Sequence, residues 1–523
     1  MGKLFFENIA KSDSGIYIAD LEKRDWKKEL FSKLNPQFVR VNGEGLYGGQ
    51  NSFENLLDLA KDALKARSAV LEPYISTDWN EEYASLYSRI FSEAPRLAQR
   101  IHFFGEVISY NSLFEMSEQQ KYTYLGYTVV RPLHAFRVGD TLLASPCTVD
   151  EIGKNRVHCL EKFDVSLLGN QLEVVGMPFI QQETSVGVCA DAVLWMLARY
   201  LNKKGETRRY RPAEIHSLAT KTLTVGPARE GLLDVQMVDA LRQMGLNPIL
   251  LYPSSPEEAK EVIYSCIESE LPVIAGIPGH VVVIIGHDYI EFGDNIGTMS
   301  DAVGSFIVHD DASGPYRKMK LGKITKDLEH GRKKQFLTLN NQEVESCIIP
   351  FPERVYMRRE DVKIHTTDWL EKVNHHVARL FDIHPSYLWA SKDIENLVIR
   401  AYLRLSRSFK CDILNRHSSV LRNERIIAKY KCMQMPKYIW VVELASRSDL
   451  KGNSMYERKI RGEIIFDSTG NRHVPEETLM AFHLNGIMFI PRRTGKPSEL
   501  FTVNESPYSP LQRSIRQHQN RSG

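Results

Sequence analysis

Apolar and polar positions change rhythm along the chain. Ser52 to Ala66 (SFENLLDLAKDALKA) sets Phe53, Leu56, Leu57, Ala60 and Leu64 at helical spacing, with Ser52 placed as its cap. Asn80 to Ala98 predicts a second amphipathic helix. Between about residues 120 and 175 the runs TYLGYTVV, DTLLAS, RVHCLEKFDVSLLG and LEVVG are short and broken by Gly and Asp, which predicts strands joined by turns. After Met177 helices and strands follow one another closely. Cys189 to Leu201 carries Val193, Met196, Leu197, Tyr200 and Leu201 on one side of a helix, and Leu233 to Met244 and Glu257 to Glu268 predict two more. PVIAGI and HVVVIIG are almost wholly apolar, as strands covered on both faces are. SFIVHD follows as a third strand. Asp368 to Phe381 and Asp393 to Leu405 predict helices, and YIWVVELA and GEIIFDS predict strands.

These elements predict an α+β chain. Residues 1–172 form an N-terminal mixed α/β region with a strand-rich second half, and 173–345 a central domain with an N-terminal helix on an antiparallel sheet. Residues 346–505 form a C-terminal α+β region, and 506–523 lack core formers and read as a disordered tail.

Composition narrows the functional classes. The net charge is +2, from 67 basic and 65 acidic residues, so no global field draws the chain to nucleic acid or to an anionic membrane. Short basic clusters such as Arg332-Lys333-Lys334 read as solvated surface. No run of about 18 apolar residues is present, so no membrane-spanning helix is expected. The seven cysteines are odd in number and include no C-x-x-C, which argues against a disulfide framework and a structural zinc site. Reduced thiols and a cytoplasmic setting are expected, with neither metal nor cofactor.

Gly43-x-Gly45-x-x-Gly48 follows a strand-like FVRV and matches a dinucleotide fingerprint. Gly49, Gln50 and Asn51 separate it from the predicted cap at Ser52, so helix N–H groups would not face a pyrophosphate, and a Gly-rich turn is the better reading. His375, His376 and His384 lie on or after a helix candidate but lack a carboxylate three or four residues on, and read as structural. Glu463 and Asp467 share one strand face and read as solvent-facing.

One constellation carries chemistry. Cys189 opens its predicted helix, where a thiolate is favoured by the helix dipole and by a neighbouring imidazolium. Gln182, seven residues earlier, is placed to donate to an oxyanion together with the Cys189 N–H, with Gln181 as the spare candidate. His280 stands at the mouth of an apolar strand after Pro278-Gly279 and is the candidate base. His287 ends the same strand an odd number of residues on, so the two imidazoles should face opposite ways. Asp310 closes the next strand and is the first choice to orient the base. Asp311 is the alternative, expected on the opposite side.

Gln-x6-Cys at a helix start, His at a strand start and Asp at the end of the next strand resemble papain-like cysteine peptidases. The bacteriocin-processing C39 type and its C39-like relatives are the closer likeness, and it covers about residues 177 to 320. Gln182 stands one residue further from the cysteine than in that pattern, and His287 to Gly304 exceeds a minimal hairpin. The flanks look like those of uncharacterised bacterial multidomain proteins. The resemblance implies a cysteine protease with a protein or peptide substrate: Cys189 as nucleophile, His280 as base, Asp310 as orienter and Gln182 in the oxyanion hole. The same triad also suits acyl transfer or glutamine deamidation, because a fold does not fix its reaction. A non-catalytic scaffold between partner-binding flanks is the reading from another class.

Overall fold

The computed structural model describes residues 15–34, 49–85, 87–89, 95–133, 137–146, 155–157, 159–182, 189–221, 232–290, 298–327, 333–373, 397–416, 424–450, 460–470, 475–484, 487–491 and 498–502. The Gly43–Gly48 motif, Cys147, the three histidines at 375, 376 and 384 and the predicted tail lie outside the described residues.

The architecture is α+β, as the patterning predicts, with antiparallel sheets throughout. The first sheet contains β1 (Tyr17–Asp20), β2 (Ser68–Tyr74), β3 (Ala98–Phe104), β4 (Tyr124–Val130) and β5 (Val138–Leu143). After the short β6 (Asn155–Val157), β7 (Glu161–Leu167) and β8 (Asn170–Gly176) form a separate hairpin, and β9 (Pro178–Phe179) pairs with β5. The β7–β8 loop is two residues, Leu168 and Gly169, both with positive φ (49° and 85°), the handedness that matches strand twist.

Next come α1 (Cys189–Lys203), α2 (Asp234–Gln243) and β10 (Leu246–Leu251). They are followed by α3 (Pro256–Glu268), β11 (Val273–Ile277), β12 (His280–Tyr289) and β13 (Val303–Asp310). The central sheet is completed by β14 (Gly314–Asp327), β15 (Lys333–Leu339), β16 (Gln342–Glu343) and β17 (Ser346–Pro352). Its order is β10-β17-β11-β12-β13-β14-β15-β16, with β6 also pairing to β12. The sheet therefore runs past residue 345: β17 lies between β10 and β11 and holds them in one ladder. The last sheet is a meander of β18 (Leu397–Leu405), β19 (Tyr438–Ser446), β20 (Gly462–Asp467), β21 (Leu479–Leu484), β22 (Ile487–Ile490) and β23 (Glu499–Thr502).

Three local expectations are corrected. The segment predicted as a helix from Asp393 to Leu405 is strand β18 over its described part. Its short apolar run fits either period, and a ladder to β19 running from Leu397↔Ser446 to Leu405↔Tyr438 decides it. The helix predicted to start at Ser52 begins at Gly49, so Ser52 is a buried interior residue and not its cap. The second predicted helix spans Thr77–Ser85, and Ala98 instead begins β3.

One hydrophobic cluster runs from Ala19 to Phe489 and joins all three regions. At its heart lies α1, whose residues Ala190 to Ala198, Tyr200 and Leu201 are all buried. A helix buried on nearly every side is a core helix, and α1 packs on β12 and on β7 and β9 of the N-terminal region. No described helix is long and apolar enough to cross a membrane.

The C-terminal sheet docks on α3 through buried charge. Arg400 of β18 donates from Nε to Glu268 Oε2 at 2.9 Å and from Nη1 to Glu443 Oε2 at 2.6 Å. Glu268 Oε1 also bonds His287 Nε2 at 2.7 Å, and Tyr402 donates to Glu443 at 3.0 Å. Both carboxylate side chains are 1% exposed. Removing the shared cation strands two buried anions, so Arg400→Ala should cost about 3–5 kcal/mol of unfolding free energy. Urea unfolding monitored by tryptophan fluorescence measures it, and a loss within about 0.5 kcal/mol of zero, as at an ordinary surface site, would contradict the network's role.

Candidate functional site

Three element ends meet at one place. Cys189 is the first residue of α1 and is partly exposed. The first N–H groups of a helix have no intrahelical partner, and the helix field there favours a negative charge. His280 is the first residue of β12. Ile277 pairs directly with His280, so Pro278-Gly279 is a two-residue turn, with Gly279 at φ +71°. Proline at the first and a positive-φ glycine at the second central position suit a type II turn, which sets His280 at the sheet's rim. Asp310 ends β13, where the register with β14 shifts between Val308 and Asp310 and the chain turns through Asp311 to Ser313.

A ring nitrogen of His280 lies within 4.8 Å of the Cys189 sulfur. His280 Nε2 lies 2.8 Å from Asp310 Oδ1 and 3.5 Å from Asp311 Oδ1. Asp310 is itself held in place. Its Oδ1 accepts the Ala312 N–H at 3.0 Å, and its Oδ2 accepts the Ser313 hydroxyl. Ser313 and the Ala312 amide were not singled out in the sequence. The signal is the Asp310-x-x-Ser313 spacing, because Asp accepts backbone N–H groups two residues on in such turns.

The electrostatics follow from these contacts. Burial disfavours the imidazolium of His280, but hydrogen bonds to Asp310 and Cys189 and the Asp311 charge outweigh it and raise its pKa to about 11. Burial also opposes ionisation of Asp310, yet His280, Ser313 and the Ala312 amide pull its pKa below the ordinary carboxylate range. The stabilisation from Asp310 is thus lost as pH falls through its lowered pKa, and that from His280 as pH rises towards about 11. For Asp311 burial wins, aided by the neighbouring Asp310 charge, and lifts its pKa to about 7 against the pull of His280.

The expectation that Asp310 and Asp311 face opposite ways is corrected. Strand alternation stops where β13 ends, and the turn swings Asp311 back so that both carboxylates face His280. His287 does lie apart from the site, bonded to Glu268 on α3 and fully buried. Gln182 is half-buried, and its backbone amide helps to lower the Asp311 pKa, which brings it beside the site. The spare candidate Gln181 is instead tied to β5, with its Oε1 accepting from the Val138 N–H at 3.3 Å. Glu463, expected at the surface, is fully buried 3.8 Å from His483 Nδ1, because the far face of the last sheet is covered too.

Cys189 Sγ, a His280 nitrogen and an Asp311 oxygen all lie within 4.8 Å of one another. Thiolate, imidazole and carboxylate are donors suited to zinc with one open position. Beside Gln182 opens a cavity of about 270 Å³ with Ile180, Ala192, Trp195, Pro212 and Ala213 among its walls.

No family model and no curated protein matches the chain. Among solved structures, it is similar to a double glycine motif protease from an AMS/PCAT transporter, determined in complex with the leader peptide. That match has 17% identity, 33% of this chain, 91% of that chain and a TM-score of 0.21. It is also similar to the peptidase domain of Streptococcus ComA, a bifunctional ABC transporter involved in quorum sensing. There the identity is 14%, over 33% of this chain and 97% of that one, with a TM-score of 0.18.

The Asp311 shift has a measurable consequence. Between the ordinary value of 3.8 and about 7 the folded chain holds the Asp311 proton more tightly than the unfolded chain, so its contribution to stability falls as pH rises. Asp311→Asn should remove this fall. The difference in urea midpoint between variant and parent should grow in the variant's favour up to pH 7 and then level off. Parallel pH profiles would contradict the assignment.

Proposed function

We propose that the chain is a cysteine-dependent acyl hydrolase of the papain-like type, cleaving a peptide or isopeptide bond through a Cys189 thioester. The observation that carries this reading is the placing of the Cys189 sulfur within 4.8 Å of a His280 ring nitrogen, with 2.8 Å between His280 Nε2 and Asp310 Oδ1. With Nε2 engaged by Asp310, Nδ1 is the ring nitrogen left for the thiol. The resting pair is the Cys189 thiolate beside the His280 imidazolium, which already holds the thiol's proton, and the thiolate attacks the substrate carbonyl carbon. The Cys189 N–H at the start of α1 and the Gln182 amide donate to the oxyanion that forms. The intermediate collapses to a thioester as His280 returns its proton to the leaving amine. His280 then takes a proton from water, hydroxide attacks the thioester, and the free acid and the thiol are regenerated. Asp310 holds the ring's orientation and stabilises its charged form. Asp311 adds a second carboxylate against the same ring.

A second reading rests on the three donors at Cys189, His280 and Asp311: a divalent cation seated there would block the nucleophile. Assays with and without a chelator separate the two, since chelation should raise the reactivity of a metal-capped thiol and leave a free one unchanged.

Site-resolved alkylation with iodoacetamide tests the nucleophile without knowledge of the substrate. Cys411 and Cys432 are exposed and serve as references, while Cys159, Cys266 and Cys347 are buried. At about pH 5–6 Cys189 should react faster than both references, although it is less exposed. His280→Ala should remove the advantage and His287→Ala should keep it. Equal rates at all accessible cysteines would sink the mechanism.

Turnover on a mixed peptide pool, read by mass spectrometry, should vanish in Cys189→Ala and drop by roughly 10²–10⁴ in His280→Ala. Cleavage products that gain water identify hydrolysis. Products that gain an acceptor, or a shift of about one mass unit with the chain intact, would replace hydrolysis by transfer or deamidation.

A further inference from the structure

The central sheet ends on an unpaired strand. β10 pairs only with β17, and its other side is an edge. The direction of its polar groups follows from the register. Pro248 stands opposite Pro350, and neither has an N–H, so this cannot be a hydrogen-bonded pair. The bonds to β17 therefore run through Asn247, Ile249 and Leu251, and the groups of Leu246, Pro248 and Leu250 point outward. Among the described residues nothing bonds to the outward N–H and C=O of Leu250 or to the Pro248 carbonyl.

This edge borders an open cleft of about 760 Å³. Residues 247–250 form one side, α2 contributes Val235 and Arg242, and the C-terminal region contributes Tyr356 and Arg358. Val235 is 45% exposed and Tyr356 is 58% exposed, so the cleft presents apolar surface to solvent. Neither Arg242 nor Arg358 has an ion-pair partner among the described residues, whereas Arg359 is paired with Glu261. Three strand spacings, roughly 14 Å, separate β10 from the strand of His280, so this cleft is distinct from the site above.

We propose that the β10 edge docks an extended, acidic peptide segment as an added strand. Leu250, half-buried at this edge, supplies a donor and an acceptor, whereas Pro248 beside it is buried. Val235 and Tyr356 take apolar side chains, and Arg242 and Arg358 take carboxylates. A second copy of this chain is a poor occupant. Two β10 edges would set Pro248 against a strand that also lacks an N–H there and would bring like-charged arginines together. The chain's own last segment has the wrong sign, since residues 511–523 carry Arg513, Arg516 and Arg521 and no acid.

The probe is a fluorescein-labelled octapeptide of alternating Val and Glu, titrated against the full chain by fluorescence anisotropy at low salt. Its controls are a Val/Lys octapeptide and the Val/Glu peptide N-methylated at alternate residues. Saturable binding is expected for the Val/Glu peptide alone. Leu250→Pro removes an outward N–H without touching the ladder to β17. This variant, and separately the pair Arg242→Gln with Arg358→Gln, should each weaken binding about tenfold or more. The arginine pair should also flatten the salt dependence. If Leu250→Pro lowers the melting temperature, the N-methylated peptide interrogates the same edge on the unaltered protein. Absence of saturable binding, tight binding of the N-methylated peptide, or indifference to the arginine pair would each overturn the proposal.

Discussion

The burial of α1 governs the site. A helix packed on nearly every side cannot slide or rotate without opening the common core, so its first residue is delivered to a fixed point. That point is the rim of the central sheet, where the turn at Pro278-Gly279 holds His280 and the end of β13 holds Asp310. Each of the three groups sits at the end of an element whose body is buried. A site of this kind gains its rigidity from the core and its access from the ends. The cost falls on the charges, which must be paired where they are partly buried, and Asp310 accordingly accepts from His280, Ala312 and Ser313 together.

The two histidines of β12 show how the same residue type is put to different work. His287 is fully enclosed and shares Glu268 with Arg400, so it belongs to the charge network that fastens the C-terminal sheet to α3. His280 keeps some access to solvent and meets a thiol. The flanking regions are thus structurally continuous with the central sheet: β7 and β9 cover α1 on one side, and β18 covers α3 on the other. The N-terminal region also bounds the cavity beside Gln182, through Glu82, Ser85 and Arg131.

The sequence was most legible where a single local rule sufficed. The 3.6-residue period of Val193, Met196, Leu197, Tyr200 and Leu201 marked α1, unbroken apolar runs marked β11 and β12, and odd spacing separated His280 from His287. It was least legible where long-range pairing decides. β18 reads as a helix until β19 is laid beside it, and Glu463 reads as exposed until the covering of its sheet is known. Alternation separated Asp310 from Asp311 on paper, yet it ceases to apply at a strand's last residue, where the two converge. The outward face of β10 is a property of sheet order, which no local pattern encodes.

The central claim is that His280 is held as an imidazolium between Cys189 and Asp310. The most direct measurement is a ¹⁵N NMR titration of the labelled imidazole ring of His280, in the unaltered protein and in Asp310→Asn. The account predicts that the ring stays doubly protonated through neutral pH, losing its proton only towards about 11, and that Asp310→Asn brings the titration back towards the ordinary histidine value of 6.5. A ring that titrates near 6.5 in both proteins would contradict it.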